Sequence, residues 1–487
     1  MEDINNRLFK VVAMSVGFCG VTYGAFAKPK HAAATKHPNV IVILMDDMGN
    51  GDIQRNGAIG FNTPNINKMA AEGMMFTHFY SPQAVSGASR AGIMTGCYPN
   101  RLGMVGAPGP GAKTGINDAE LTIAEMLREQ GYATAAYGKW HLGDQKQFLP
   151  THHGFDEYYG IPYSNDMWPN HPTMKFPDLP LIEGDSIIEY NPDQTRFTTD
   201  FTHRAVEFIE KNKKKPFFVY LAHPMPHVPL FVSDKFKGKS EQGLYGDVMM
   251  ELDWSIGTIL NKLKEENIDD NTLVIVTSDN GPWLNYGNHA GTTGGLREGK
   301  GTSFEGGQRV PCLMQWRGVI ESGAICNKLS SSIDILPTLA SICSARLPAH
   351  KIDGVNIMPL LKQEKDANPR KSFYYYYRAN DLEAVTDGSY KLIFPHTYRT
   401  YERHLPANDG KPGVVDEYYK LEEKLLIDLR RDPGERWNVI SQYPEIAERL
   451  ETMAREARED LGDNLTKTQG ANRRAIGRVP NGSDKKF

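Results

Sequence analysis

Two acidic pairs carry the first chemical signal in the chain. Asp46-Asp47 directly follows an apolar run at 40–45, and Asp279-Asn280 follows a run ending Val276-Thr277. Adjacent carboxylates repel one another unless a cation joins them, and oxygen-bearing side chains gathered at two strand ends suit a hard divalent ion. Taken singly, each pair is equally an ordinary helix cap or turn; at the same edge of one sheet, the two favour a metal. The second signal is Ser86-Gly87-Ala88-Ser89-Arg90, which opens an apolar helix. Such a start presents free backbone N–H groups to an anion, although a lone Ser there is ordinarily an N-cap and a lone Arg a surface charge. The remaining candidates are scattered: Lys139 and His141 around Trp140, His227 among prolines, and Lys300 between two glycines. In isolation the lysines read as solvated and His141 as a structural histidine. His227, in a loop that follows a strand, reads as functional from position alone.

Residues so far apart act together only if the fold brings strand ends to one edge. The continuous apolar run at 40–45 suits a strand buried on both faces of a parallel sheet. Similar runs recur at 133–137, 217–221 and 273–277. Amphipathic helices lie between them, with Leu121, Ala124, Met126 and Leu127 on one face, Ala205, Phe208 and Ile209 on a second, and Met249, Leu252, Ile256 and Ile259 on a third. This alternation predicts an α/β fold, a mostly parallel sheet sandwiched by helices. In such sheets ligands bind outside the carboxyl ends of the strands. After about residue 362 the pattern changes. Residues 373–377 and 390–394 read as strands joined by turn residues such as Asp387-Gly388, and a helix with Ile446, Leu450, Met453 and Ala457 on one face follows. These shifts divide the chain into a catalytic domain at 38–366, a smaller C-terminal α+β domain at 367–463, and a polar tail or surface arm at 464–487. Strand alternation allows at most half of the run Tyr374-Tyr375-Tyr376-Tyr377 to line one face, so core packing is expected there rather than a sugar-stacking platform.

The run S-x-A-S-R at 86–90, with Thr95-Gly96 and Tyr98-Pro99 behind it, resembles the signature of the type I, formylglycine-dependent sulfatases. Other motifs are similar to that family in order: residues 39–47, Gly138-Lys139-Trp140-His141-Leu142-Gly143, Gly160-Ile161-Pro162-Tyr163-Ser164, the Pro-His-Val-Pro segment holding His227, Ser278-Asp279-Asn280-Gly281, and residues 299–307. The likeness spans roughly residues 38 to 440. It is nearest to the branch of arylsulfatase A and N-acetylgalactosamine-6-sulfatase. It implies an alkaline-phosphatase-like fold and hydrolysis of sulfate esters on a glycan, a galactose or N-acetylgalactosamine sulfate, with the 6-O position as one candidate. It implies formylglycine derived from Ser86, hydrated so that one hydroxyl attacks sulfur and the other releases sulfate. Calcium, in preference to magnesium, would be held by Asp46, Asp47, Asp279, Asn280 and the modified residue 86. Arg90, Lys139 and Lys300 would neutralise charge, His141 would deprotonate the second hydroxyl, and His227 would protonate the leaving alcohol. The modified position is Ser rather than Cys, which implies a radical-SAM maturase acting before export; Cys97 lies outside that position. Ser164, Asn165, Asp166 and His289 are candidate substrate contacts, with Trp168, His223 and Asn288 as weaker ones. Two other readings stand beside this one: a phosphate or phosphonate ester hydrolase of the same superfamily, and a non-catalytic protein that binds sulfated glycans.

Composition agrees with an exported enzyme. The chain has 487 residues, 40% apolar and 23% charged, enough for a large buried core, and its formal charge of −4 offers no basic patch for nucleic acid. Arg7 and Lys10 precede an apolar stretch that ends Ala25-Phe26-Ala27. That pattern is a signal peptide at 1–27, followed by a basic linker at 28–37, so a periplasmic or secreted location and no stable membrane insertion are expected. After cleavage Cys97, Cys312, Cys326 and Cys343 remain, too few and too scattered for a disulfide scaffold or a zinc site. Most are expected as buried free thiols, with one pair open to bridging.

Overall fold

A strand as apolar as residues 39–45 is stable only where both of its faces are covered. The computed structural model describes residues 37–480; the expected signal peptide and nearly all of the 28–37 linker lie outside the described residues, as do residues 481–487. Ten strands form one sheet: β1 (Asn39–Met45), β2 (Met74–Phe76), β3 (Ala133–Lys139), β4 (Glu157–Ile161), β5 (Pro180–Glu183), β6 (Ser186–Tyr190), β7 (Phe217–Ala222), β8 (Thr272–Ser278), β9 (Cys312–Gln315) and β10 (Ala324–Cys326). Their spatial order is β10-β2-β9-β8-β1-β7-β3-β4-β5-β6. The run β8-β1-β7-β3-β4 is parallel throughout. β9 joins it antiparallel on one side, and the β5–β6 ribbon does so on the other.

Strand alternation sends Val40, Val42 and Leu44 into one core and Ile41, Ile43 and Met45 into the other. The first core is closed by α2 (Ser86–Thr95), α3 (Ile123–Glu129) and α6 (Ile335–Cys343). The second is closed by α1 (Pro64–Glu72), α4 (Phe197–Asn212) and α5 (Leu244–Glu265). Burying each aliphatic side chain contributes about 1.5–3 kcal/mol, so charge is excluded from β1 until the strand ends at Met45. The four runs singled out in the sequence are the four central strands, each a residue or two longer than expected. β3 continues to Lys139 because Gly138, at φ 107°, has no side chain; a Cβ there would stand 2.0 Å from Ala222 O. The edge strands are short or strongly polar and gave no periodic signal.

The C-terminal sheet runs β11 (Phe373–Tyr377), β12 (Asp381–Thr386), β13 (Tyr390–Ile393) and a last strand, Leu425–Asp428, all antiparallel. A hairpin of His396–Thr400 with Asp416–Leu421 stands beside it, and α7 (Pro444–Leu461) packs on its face. The expected direct connection between residues 373–377 and 390–394 is corrected: β12 intervenes, and Asp387-Gly388 turns β12 into β13. Within β11, Tyr375 and Tyr376 are both fully buried, because a register shift between them breaks the alternation. The core of this sheet also takes in Tyr80, Tyr98 and Phe304 from the first part of the chain. Lys391 of β13 is buried between Glu305 Oε1 (3.2 Å) and Glu435 Oε1 (2.8 Å).

Beyond α7, residues 464–480 form an arm that returns to the large domain. Arg474 is paired with Glu120 at 2.6 Å and reaches Cys97 Sγ at 3.3 Å, and Gly477–Arg478 pairs with Thr114–Gly115. Among the described residues the four cysteines, Cys97, Cys312, Cys326 and Cys343, are free and buried, with no pair bridged. Among the described residues, no helix is long and apolar enough to cross a membrane.

Candidate active site

The five parallel strands all end at one edge, and each delivers a candidate residue there. β1 ends in Asp46-Asp47, β8 in Asp279-Asn280 and β3 in Lys139, while the segments after β4 and β7 carry Ser164 and His227. Ser86 is the first residue of α2 and follows an extended Val85. Its Oγ donates to Asp46 Oδ1 at 2.8 Å and lies 3.5 Å from both Asn280 Oδ1 and Lys139 Nζ. One helical turn later, Arg90 donates through Nε to Asp279 Oδ2 at 2.9 Å and through Nη1 to Lys139 O at 2.8 Å. Its Nη2 stands 3.6 Å from Asp46 Oδ2. Lys139 Nζ bonds Asp46 Oδ2 and, at 3.0 Å, Ser164 Oγ. Lys300 Nζ pairs with Asp47 at 2.8 Å, and Asn280 Nδ2 donates to Asp47 Oδ1 at 2.6 Å.

Two non-glycine residues of this group, Asp47 and His141, hold the left-handed conformation at φ 65°. That geometry costs about 1–3 kcal/mol each unless the surroundings enforce it, and it concentrates at functional sites. For Asp47 the enforcement is visible: its N–H donates to Asp279 Oδ1 at 3.2 Å. Both ring nitrogens of His141 are buried without a protein partner. A buried imidazole is ordinarily hydrogen-bonded, so this ring faces a place built for another group. His227 lies between Pro226 and Val228-Pro229; its Nδ1 bonds Val228 O, and its Nε2 stands 3.6 Å from Asp47 Oδ2.

Charge dominates the site. Asp46, Asp47 and Asp279 face Arg90, Lys139 and Lys300, nearly all of them out of contact with solvent. Burial pushes the Asp46 carboxyl up, but Lys139, His227, Arg90 and Lys300 outweigh it and hold the group well below the usual carboxylate range. Burial and the Asp46 charge push Asp279 up to about 6 against Arg90. Burial pulls Lys139 down despite Asp46, whereas Asp47 and Asp46 hold Lys300 up against its own burial. His141 sits far below the ordinary imidazole range, through burial and the nearby Lys139 and Arg90 charges, and is therefore neutral.

The donor set fits a divalent ion. Ligand atoms of Asp46, Asp47 and His227 lie within 4.8 Å of one another. Asp279 Oδ1 accepts from the Asp47 backbone N–H, and Asn280, whose Nδ2 donates to Asp47, turns its Oδ1 toward Ser86 Oγ at 3.5 Å, so both add an oxygen beside the cluster. Carboxylate and amide oxygens are the donors calcium and magnesium take. The three carboxylates are matched by three side-chain cations, so a bound divalent ion would leave the edge net positive, as an anionic ester requires. His227 belongs to this cluster by distance, although the sequence pointed to it only as an acid.

The candidate substrate contacts spread out. Ser164 turns inward and holds Lys139. Asn165 is buried, its amide bonded to Gln194 Oε1 at 3.1 Å and Pro229 O at 3.2 Å, where it braces the His227 loop. Asp166 Oδ1 has no protein partner, and its Oδ2 lies 3.8 Å from His171. Trp168 packs edge-on against Phe231. Asn288 bonds Asp409, and the Nδ1 of neighbouring His289 has no protein partner. His223 is buried against Ser255 Oγ at 3.0 Å, away from the strand-end group. Sequence reasoning passed over Trp283, whose ring lies 4.6 Å from Lys300 Nζ and 5.6 Å from the His227 ring. Its position three residues after Asn280 was the available signal. It also passed over Tyr401, whose hydroxyl donates to Lys300 O at 2.6 Å from the C-terminal side.

The chain as a whole is similar to known proteins. A family model described as Sulfatase matches residues 38–344, and one described as N-sulphoglucosamine sulphohydrolase, C-terminal, matches residues 299–460. Arylsulfatase A of Bos taurus is 36% identical over 438 residues, 85% of this chain and 86% of its own length. N-acetylgalactosamine-6-sulfatase of Mus musculus is 34% identical over 488 residues, 93% of this chain and 92% of its own length. Among solved structures, the PsFucS1 sulfatase from Pseudoalteromonas sp. superposes with a TM-score of 0.79 at 26% identity, over 91% of this chain and 92% of that one.

Proposed function

The chain belongs to the sulfatase family, with the alkaline-phosphatase-like fold and the sulfuric ester hydrolase activity of that family, and from this premise we propose that it removes sulfate from galactose or N-acetylgalactosamine units of a sulfated glycan, the 6-O ester first among them. The observation that carries the site assignment is the meeting of Ser86 Oγ with Asp46, Asn280 and Lys139 at the N-terminus of α2. The sugar assignment rests on the N-acetylgalactosamine-6-sulfatase relative, which matches nearly end to end.

In this reading Ser86 is oxidised to formylglycine by a radical-SAM maturase before export to the periplasm or beyond. The modification supplies an aldehyde hydrate, with one hydroxyl for attack on sulfur and one for release of sulfate. A calcium ion held by Asp46, Asp47, Asp279 and Asn280 would polarise a sulfate oxygen and acidify the hydroxyl at position 86. Lys139 and Lys300 present fixed ammonium groups to the remaining sulfate oxygens, where charge builds in the transition state. Arg90 pins Asp279 and the Lys139 carbonyl, which fixes the edge around residue 86. His141 is neutral and unpartnered, so it can accept a proton. His227, its Nδ1 tied to Val228 O, offers Nε2 to the leaving alcohol, which departs poorly without a proton.

The phosphate-ester reading calls for a second metal cluster; among the described residues the Asp46, Asp47 and His227 group is the one cluster of this kind. The deciding experiment incubates matured protein with defined sulfated mono- and oligosaccharides and with aryl phosphate. Loss of sulfate from a galacto-configured sugar is expected, and the carbon that loses it settles the position. Turnover of aryl phosphate alone would refute the proposal. Mass spectrometry of the Ser86 peptide should show a loss of two hydrogens.

A further inference from the structure

A cavity of about 390 Å³ opens beside the site, between loops of the large domain and the C-terminal hairpin. Gln83, three residues before Ser86, and Gly301, next to Lys300, form its inner wall. Tyr377, Arg378, Arg399 and Glu417 form the outer wall. Gly301 N donates to Ala84 O at 2.8 Å, which stitches the two inner segments together. At φ 80° Gly301 leaves the cavity open; a Cβ there would stand 3.0 Å from Tyr377 Oη and 3.4 Å from Arg399 Nη1.

The lining is rich in donors and positive in sum. Arg399 clamps Glu417 with Nε at 2.9 Å and Nη2 at 2.9 Å. Arg378 has no carboxylate of its own. Its Nη2 donates to the Glu417 backbone oxygen at 2.9 Å, and its Nε is buried without a protein partner. Gln83 is 1% exposed, and its Nε2 also lacks a protein partner while its Oε1 accepts from Gly106 N. The lining thus holds two guanidiniums and one carboxylate, which Arg399 alone engages, with two buried N–H groups left over. Unpaired buried donors are rare, and guanidinium groups match the oxygens of carboxylates and sulfates.

We propose that this cavity is a subsite for a second anionic group of the glycan, a carboxylate or a further sulfate on the sugar next to the one being desulfated. The inference deepens the sulfated-glycan reading and rests on it. The preferred substrate is then a polyanionic oligosaccharide, and Arg378 and Gln83 select it.

The test compares three galacto-configured substrates with the same scissile sulfate: one with a neutral neighbouring sugar, one with a neighbouring uronate, one with a neighbouring sulfate. The matured enzyme should favour at least one anionic neighbour by about tenfold in kcat/KM, through KM. Arg378→Met should bring that ratio near one, Arg378→Lys should retain part of it, and Glu417→Gln, which frees Arg399, should raise it. The uronate and sulfate arms tell which anion fits. Calorimetric Kd values of protein retaining Ser86 should rank the three oligosaccharides in the same way, with a preference that weakens as salt rises. Equal Kd and KM for neutral and anionic neighbours, or a preference unchanged in Arg378→Met, overturns the proposal. If none of the three loses sulfate while calorimetry still ranks them, the galacto-sulfate reading fails and the subsite stands.

Discussion

Ser86 and Asp46 meet across 40 positions of chain, the serine hydroxyl donating to Asp46 Oδ1 at 2.8 Å. The contact joins a helix N-terminus to the end of the central strand and sets residue 86 against the acidic edge. Ser86→Ala removes one neutral-to-charged hydrogen bond, a loss of about 1.5–3 kcal/mol in stability at most. Turnover should instead fall by about a thousandfold or more. Melting curves and rates on one preparation check both halves; a variant retaining a tenth of the activity would rule Ser86 out as the reacting residue.

Lys139 is buried against Asp46, so Lys139→Met leaves a carboxylate without its partner. Breaking a buried pair in this way costs about 3–5 kcal/mol. Urea unfolding in chelator should show that loss, and added calcium should recover part of it by supplying the missing positive charge. Equal losses with and without calcium would separate Lys139 from the metal cluster.

Chelation should abolish activity and lower the melting temperature, and calcium should reverse both. At free calcium a hundredfold above Kd the expected gain is about 2.7 kcal/mol. Asp47→Asn should shift the midpoint of that titration to higher calcium. A melting temperature indifferent to calcium from micromolar to millimolar would refute the metal assignment on a readout independent of catalysis.

The C-terminal arm should loosen in acid. Asp460, held between Arg101 at 2.6 Å and Lys351 at 2.8 Å, also accepts from Asn472 of the arm at 2.6 Å. Burial pushes its carboxyl up, but the bonds from Arg101, Lys351 and Asn472 together outweigh it and hold the group well below the usual carboxylate range. A depressed carboxyl contributes stability above its unfolded pKa of about 3.9 and loses it as pH falls toward the folded value. Proteolysis within residues 464–480 should therefore accelerate below about pH 4. Asp460→Asn should already show the faster rate at neutral pH, with less further change on acidification. A rate independent of pH in the wild-type protein would show that the arm is held by other contacts.

The central strands were legible because each is a short apolar run that stops abruptly. Asp46 and Asp279 announce themselves by following such runs closely, whereas Lys139, which in isolation reads as solvated, is marked only by the motif around it. The edge strands were not legible. Residues 186–190, SIIEY, are largely exposed, and exposure removes the apolar pattern that marks a strand. Asn165 followed a recognisable motif, yet its role is to brace the His227 loop, and only the positions of Gln194 and Pro229 reveal that. The buried pair Tyr375-Tyr376 defeats any period-two reading, because the bulge that turns both inward leaves no mark in composition. For the segment from residue 464 the sequence left tail and surface arm open, because its partners, Arg101, Glu120 and Cys97, lie more than three hundred positions upstream.

Lys391 closes the molecule in a way that bears on engineering. Glu305 follows Lys300 by five residues in the same segment, and its carboxylate accepts from Lys391 of the C-terminal sheet and from the Tyr375 hydroxyl. Glu435, beyond that sheet, holds the Glu305 backbone N–H at 2.7 Å. A graft that exchanges residues 373–461 for those of a relative, in pursuit of a new sugar preference, would therefore disturb the segment that carries Lys300, the lysine proposed to bind sulfate. A working chimera has to carry Lys391, Glu435 and Tyr375 across with the transplanted part, or it inherits a recognition surface with no enzyme behind it.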